Sequence, residues 1–118
     1  MTKVQINIAI AEACGWKRVR ETAYGPMGCP PGSDLSYTSD DFFRTRMCPV
    51  PNFHENLDAM HEAEATLNYE QAEQFENKLC DICNRHQEYP LPFRFAVARA
   101  TARQRAEAFL RTIGKWEE

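Results

Sequence analysis

The chain reads as an α/β protein of the α+β kind, with a small antiparallel sheet held between helices. Three observations predict it. Apolar stripes of helical period open behind capping residues at Thr2, Asn68 and Thr101. Segment 93–99 alternates with strand period, and 16–23 does so imperfectly. Residues 25–52 between them are rich in glycine, proline and small polar residues, a turn-rich connection.

The elements follow in order. Lys3 to Ala13 forms the first helix: Thr2 caps it, Gln5 reaches back to complete the box, and Ile6, Ala9, Ile10 and Ala13 give the apolar stripe. Gly15 stops it, since glycine takes left-handed dihedrals cheaply. Trp16 to Ala23 is a strand. Gly25, Pro26, Gly28, Pro30, Pro31 and Gly32 make an irregular loop, and Leu35 to Phe43 holds a short strand before Pro49 and Pro51. Leu57, Met60, Ala63 and Leu67 mark a second helix. Asn68, with Gln71 three residues on, starts a third, whose stripe is Ala72, Phe75, Leu79, Ile82 and Cys83. Pro90 and Pro92 separate it from the strand expected at 93–99. The Thr101-Ala102-Arg103-Gln104 box opens a last helix with Ala102, Ala106, Phe109, Leu110 and Ile113 inward, Glu107 and Arg111 paired outside, and Gly114 as its stop.

The bulk properties narrow the function. The 118 residues suit one domain, 1–118. A domain of this size buries roughly 65% of its unfolded surface, so folding requires neither disulfide nor metal, and no cofactor is expected. A net charge of −3 excludes a general nucleic-acid-coating role. No apolar run is long enough to span a bilayer, and Gln5, Asn7 and Glu12 interrupt any secretory core. Cys14, Cys29, Cys48, Cys80 and Cys83 form an odd set, which fits reduced thiols in a cytosol.

The strand-to-helix junction at 93–105 is the leading candidate site. A helix start offers unpaired N–H groups and partial positive charge, and Thr101 adds a hydroxyl. Arg99 and Arg103 are placed to supply a cationic fork for an anion, with Arg94 and Arg105 in support. One geometric conflict is visible: residues 94 and 99 have opposite parity, so a regular strand sends them to opposite faces. The bland reading is that Thr101 only caps and the arginines pair with neighbours such as Glu107.

Cys80-x-x-Cys83 followed by His86 has zinc-ligand spacing, with His54, His61 and Cys48 as further donors. No second such pair completes a tetrahedral set, and Leu79, Cys83 and His86 share the apolar helix face. His61-Glu62 begins like a zinc-protease motif, but Ala65 stands where its second histidine belongs. No nucleophile elbow or phosphate loop is present, so no catalytic residues and no enzyme are expected. Trp16, Tyr24, Tyr37 and Tyr89 are aromatics able to stack on a base or to fill the core, and Phe42-Phe43 in the loop is the best ligand or interface pair.

Three blocks carry a resemblance: 6–16 (INIAIAEACGW), 57–64 (LDAMHEAE) and 100–112 (ATARQRAEAFLRT). Together they resemble the small phage and prophage proteins of the phage ABA sandwich domain family. The resemblance implies an α/β/α layered domain, a bacteriophage source and a place in the cytoplasm of the infected bacterial host. The chain is similar to the Thoeris anti-defence sponges, which implies a non-enzymatic protein that sequesters a nucleotide-derived immune signal, a cyclic oligonucleotide or a cyclic ADP-ribose isomer. On that reading the anionic small molecule is held by Arg99, Arg103 and Thr101 with an aromatic on its base, in a homo-oligomer whose shared pocket supplies concavity. The rival expectation is a phage accessory protein acting only through protein contacts at Phe42-Phe43, with no small-molecule ligand.

Overall fold

The structure is a computed structural model that describes residues 1–32 and 47–118. It is a mixed α+β fold. Among the described residues the order is α1 (Lys3–Ala13), β1 (Lys17–Thr22), β2 (Gly25–Cys29), β3 (Cys48–Pro49), α2 (Leu57–Glu64), α3 (Tyr69–Cys83), α4 (Phe93–Arg99) and α5 (Ala102–Thr112). The strands form one antiparallel sheet in the order β1-β2-β3. None of the described helices is long and apolar enough to cross a membrane. The expected strand at Leu35–Phe43, with Tyr37, Phe42 and Phe43, lies outside the described residues.

The caps stand where local chemistry puts them. Thr2, Asn68 and Thr101 each accept from the backbone three residues on, and Gln5, Gln71 and Gln104 each return the bond to the cap N–H. Each reciprocal pair satisfies two orphan donors. Gly15 at φ 97° and Gly114 at φ 75° follow the ends of α1 and α5 in the left-handed region. The stripe of α1 is rotated from the expected one: Asn7 and Ala11 are buried with Ile6 and Ile10, and Ala13 is exposed.

Two elements correct the sequence reading. Residues 93–99 are the helix α4, not a strand. The apolar alternation of Phe93, Phe95 and Val97 is genuine, but Ala96, Ala98 and Ala100 favour helix. Pro92 stands at the N-cap, where the residue's missing N–H costs nothing. The second correction is β2, in what reads as loop. Pro26 lies inside it and Gly25 and Gly28 flank it, residues that argue against a central strand. The strand tolerates them because β3 is only two residues long. Gly28 is required: an added Cβ would sit 2.9 Å from Val19 Cγ2 and 3.1 Å from Val19 Cα. The register slips at that point, with Arg18 and Val19 opposite Gly28 between the Lys17–Cys29 and Arg20–Met27 pairs. Arg18 takes φ 52° at this bulge.

The sheet packs on α1, and α1 packs in turn on α5. Helix α5 is central, touching α1, α2 and most extensively α3, while α4 lies against α3. Ile6, Ile10, Met60, Leu79, Phe109 and Leu110 are the fully buried large side chains at this junction. Alanines 102, 106 and 108 on α5 let the helices approach closely.

Candidate functional site

The structure separates the arginines that the junction seemed to gather. Arg105 is committed to partners inside the fold. It is 8% exposed, its Nη1 donates to Glu64 Oε1 at 2.8 Å, and its Nη2 donates to the Val97 carbonyl at 2.6 Å. It caps the C-terminal end of α4, where carbonyls lack helical partners and the dipole favours a cation. Cys83 Sγ shares that task, donating to the Ala96 carbonyl at 3.6 Å. Thr101 is spent on its capping box, accepting from Gln104 N at 3.2 Å while its own N–H donates to Gln104 Oε1 at 2.9 Å.

Arg94, Arg99 and Arg103 are exposed. In the helical form of α4, Arg94 and Arg99 are five residues apart, about 140° around the axis, so they still point to different sides. Phe95 and Arg99 fall four residues apart on one face, with the guanidinium carbon 5.1 Å from the ring centroid. Phe93 and Phe95 are 41% and 44% exposed and, two residues apart on the helix, lie on different flanks of α4, so aromatic rings and arginines alternate around its exposed surface. Segment 93–105 carries four arginines and no carboxylate in a chain of net charge −3. The loop before α4 is pinned: Leu91 N–H donates to Asn84 Oδ1 at 2.9 Å, and Asn84 Nδ2 reaches the Leu91 carbonyl at 3.5 Å. Nothing in the sequence marks this Asn84 clamp, because its partner is defined only once α3 and α4 pack.

Arg103 stands next to a polar network that sequence reasoning missed. Asn7 on α1 is buried; its Nδ2 donates to Asn52 Oδ1 at 3.1 Å and its Oδ1 accepts from the His54 N–H at 3.1 Å. Asn52 Nδ2 and Lys3 Nζ both donate to Glu55, at 3.0 and 3.2 Å. The His54 ring is buried, with Nδ1 unpartnered by any hydrogen bond and 3.6 Å from Glu55 Oε1. Burial pushes the imidazole pKa below its ordinary 6.5, and the Arg103 charge adds to that; Glu55 opposes it. A depressed base binds fewer protons folded than unfolded. Its contribution is therefore present above the ordinary histidine value and is lost as pH falls. The loss of stability between about pH 7 and 5 should be shallower in His54→Gln than in the wild type, as urea midpoints at the two pH values would show. Parallel pH profiles would remove His54 from the titration.

The remaining candidates lie apart. Cys80, Cys83 and His86 form no ligand set; among the described residues no three histidine, cysteine or carboxylate side chains are grouped to hold a metal. Cys83 is committed to the α4 carbonyl and, at 3.7 Å, to Gln104 Oε1, and burial pushes its thiol pKa up, away from the thiolate a metal needs. Cys80 Sγ accepts from Asn84 at 3.5 Å, and His86 is exposed. His61 is exposed on α2 beside Glu62, and His54 is buried in the network described above. Glu107 pairs with Arg85 at 2.6 Å and with Arg111 at 3.0 Å. Burial alone would raise the Glu107 pKa, but the two arginines together hold it below the usual carboxylate range.

Two hollows formed by described residues lie away from the arginines. One of about 530 Å³ runs between α1 and the C-terminal tail, lined by Met1, Ile8, Glu12, Lys115 and Glu117 among others. One of about 290 Å³ lies between the end of α1, the sheet and α2. Neither touches Arg94, Arg99 or Arg103. No protein-family model, no curated protein and no solved structure matches this chain.

Proposed function

We propose that the chain is a non-enzymatic interaction protein that binds an acidic surface of another protein through the outer side of α4 and the first turn of α5. The exposed rings of Phe93 and Phe95, set among Arg94, Arg99 and Arg103, carry this reading. Aromatic residues and arginine are the types enriched where protein interfaces concentrate their energy. The Asn84 clamp holds the surface in place before any partner arrives, which lowers the ordering cost of association. Neither of the two hollows described includes these arginines, whereas a small molecule is usually gripped in a hollow that covers most of it. That favours the protein partner over sequestration of a nucleotide signal, which would draw on the same three arginines.

The test uses the charge and the rings separately. Partners captured by the immobilised chain from a bacterial lysate are identified, purified and titrated against wild type, Arg94→Glu and Phe93→Ala/Phe95→Ala. An acidic partner should bind with strong salt dependence, and each variant should lose at least about tenfold in affinity, or about 1.4 kcal/mol. A thermal-stability panel of cyclic oligonucleotides and cyclic ADP-ribose isomers provides the opposing arm. A ligand at about 100 times its dissociation constant adds about 2.7 kcal/mol of stability. Such a shift, abolished by Arg103→Ala, would replace the protein-partner reading with nucleotide sequestration.

A further inference from the structure

The 290 Å³ hollow is built from four separate parts of the chain. Cys14 comes from the end of α1 and Trp16 from the start of β1. Pro31 follows β2, Pro51 and Phe53 follow β3, and Glu62 stands on α2. Gly15 turns the chain at φ 97°, which brings Cys14 and Trp16 to the same wall. Pro31 packs beside that turn: a Cβ on Gly15 would meet Pro31 Cβ at 3.6 Å. The floor is apolar and aromatic. Phe53 is buried in the core and Trp16 is half-buried. Burial pushes the Cys14 thiol pKa up, so it stays a neutral thiol.

The charge of this wall is one-sided. Glu62 is the one carboxylate among the described lining residues, and no lysine, arginine or histidine accompanies it. Glu62 makes no hydrogen bond or ion pair among the described residues, although α2 offers His61 next to it in sequence. Two aromatic side chains, two prolines and an unpaired carboxylate form the wall chemistry that accepts an organic cation. The half-buried Trp16 ring attracts the charge, Phe53 and the prolines take its methyl or methylene groups, and the carboxylate balances it. The volume is near the lower end for small-molecule sites, which restricts the occupant to a compact body.

We infer that the Trp16–Phe53–Glu62 hollow is a binding site for a compact free organic ammonium ion of the choline type. The site is independent of the α4 surface, since it shares no residue with it. The Trp16 indole N–H gives a local readout in a two-dimensional ¹H–¹⁵N spectrum, and Trp116, which does not line the hollow, gives an internal control. Choline should move the Trp16 signal saturably and leave Trp116 in place. The neutral isostere 3,3-dimethylbutan-1-ol, equal in shape but uncharged, should bind at least about tenfold more weakly, as should choline to Glu62→Gln. Glu62 is exposed, so that variant keeps the fold. Equal affinity for the alcohol and the ammonium would overturn the assignment, and so would a Glu62→Gln variant that binds choline as wild type does. A Trp16 signal that choline at tens of millimolar leaves unmoved would overturn it as well.

Discussion

Arg105→Ala should destabilise the protein by about 3–5 kcal/mol, the usual cost of removing one partner from a buried ion pair. The substitution leaves Glu64 without its cation and the Val97 carbonyl at the end of α4 without a donor. Burial already holds the Glu64 carboxyl above its ordinary range, with Arg105 opposing that effect. Without the arginine the carboxyl should rise further, so the folded variant binds a proton that the unfolded chain releases. The sign follows from linkage: a raised carboxyl favours the folded state below the unfolded value and loses that advantage as pH rises through the folded one. The Arg105→Ala penalty should therefore shrink from neutral pH down to about 4.5, the ordinary glutamate value. Taking the variant-minus-wild-type difference cancels the opposite trends of His54 and Glu107. Glu64→Gln in the Arg105→Ala background should recover most of the loss at neutral pH. Urea unfolding of the three proteins at two pH values settles it. A penalty under about 1 kcal/mol, or one independent of pH, would mean the pair contributes as little as an exposed one.

This arginine shows why the candidate site was only partly legible. Its sequence neighbourhood, an arginine one turn into a capped helix, differs little from that of Arg103. The decisive partner is Glu64, which lies 41 residues away. Caps, stops and the α3 and α5 stripes were readable because their chemistry is complete within four residues. Segment 93–99 was misread because Phe-Arg-Phe-Ala-Val satisfies a two-residue period, while its helical form rests on tertiary support. That support is the Asn84 clamp before it and Arg105 and Cys83 at its end. Helix formation in seven residues is unfavourable in isolation, so no local signal could have been strong. Strand β2 was hidden for the opposite reason: its glycines and proline speak for a loop, and the Val19 contact that demands Gly28 exists only after β1 folds back. The same correction changes the chemistry on offer. As a strand, 93–99 would have held Phe95 and Arg99 about 13 Å apart along one face. As a helix, it turns Phe95 and Arg99 outward together and leaves Thr101 and Arg105 to structure.

Phe109→Ala should cost about 3–5 kcal/mol, the range for emptying a fully buried aromatic position. Phe109 is 1% exposed on α5, the helix that α1, α2 and α3 all touch. Three of its buried α5 neighbours are alanines, at 102, 106 and 108, and Leu110 and Arg105 are already packed in their own places, so the void is poorly refilled. A domain of this size has about 5–15 kcal/mol of stability in total, so the variant should sit near its folding threshold. Phe109→Leu should lose less, about 1–2 kcal/mol, because the branched side chain keeps most of the volume. The α4 surface provides a second readout. Helix α4 owes its place to Arg105, one turn before Phe109 on the same helix. Loosening α5 should therefore weaken partner binding at Phe93 and Phe95 even under conditions where the chain remains mostly folded. Guanidinium unfolding compared with binding at the α4 surface separates the two effects. If Phe109→Ala lowers stability by the expected amount while binding is unchanged, α4 is held by α3 alone through Asn84 and Cys83, and the proposed interface does not depend on α5 for its shape.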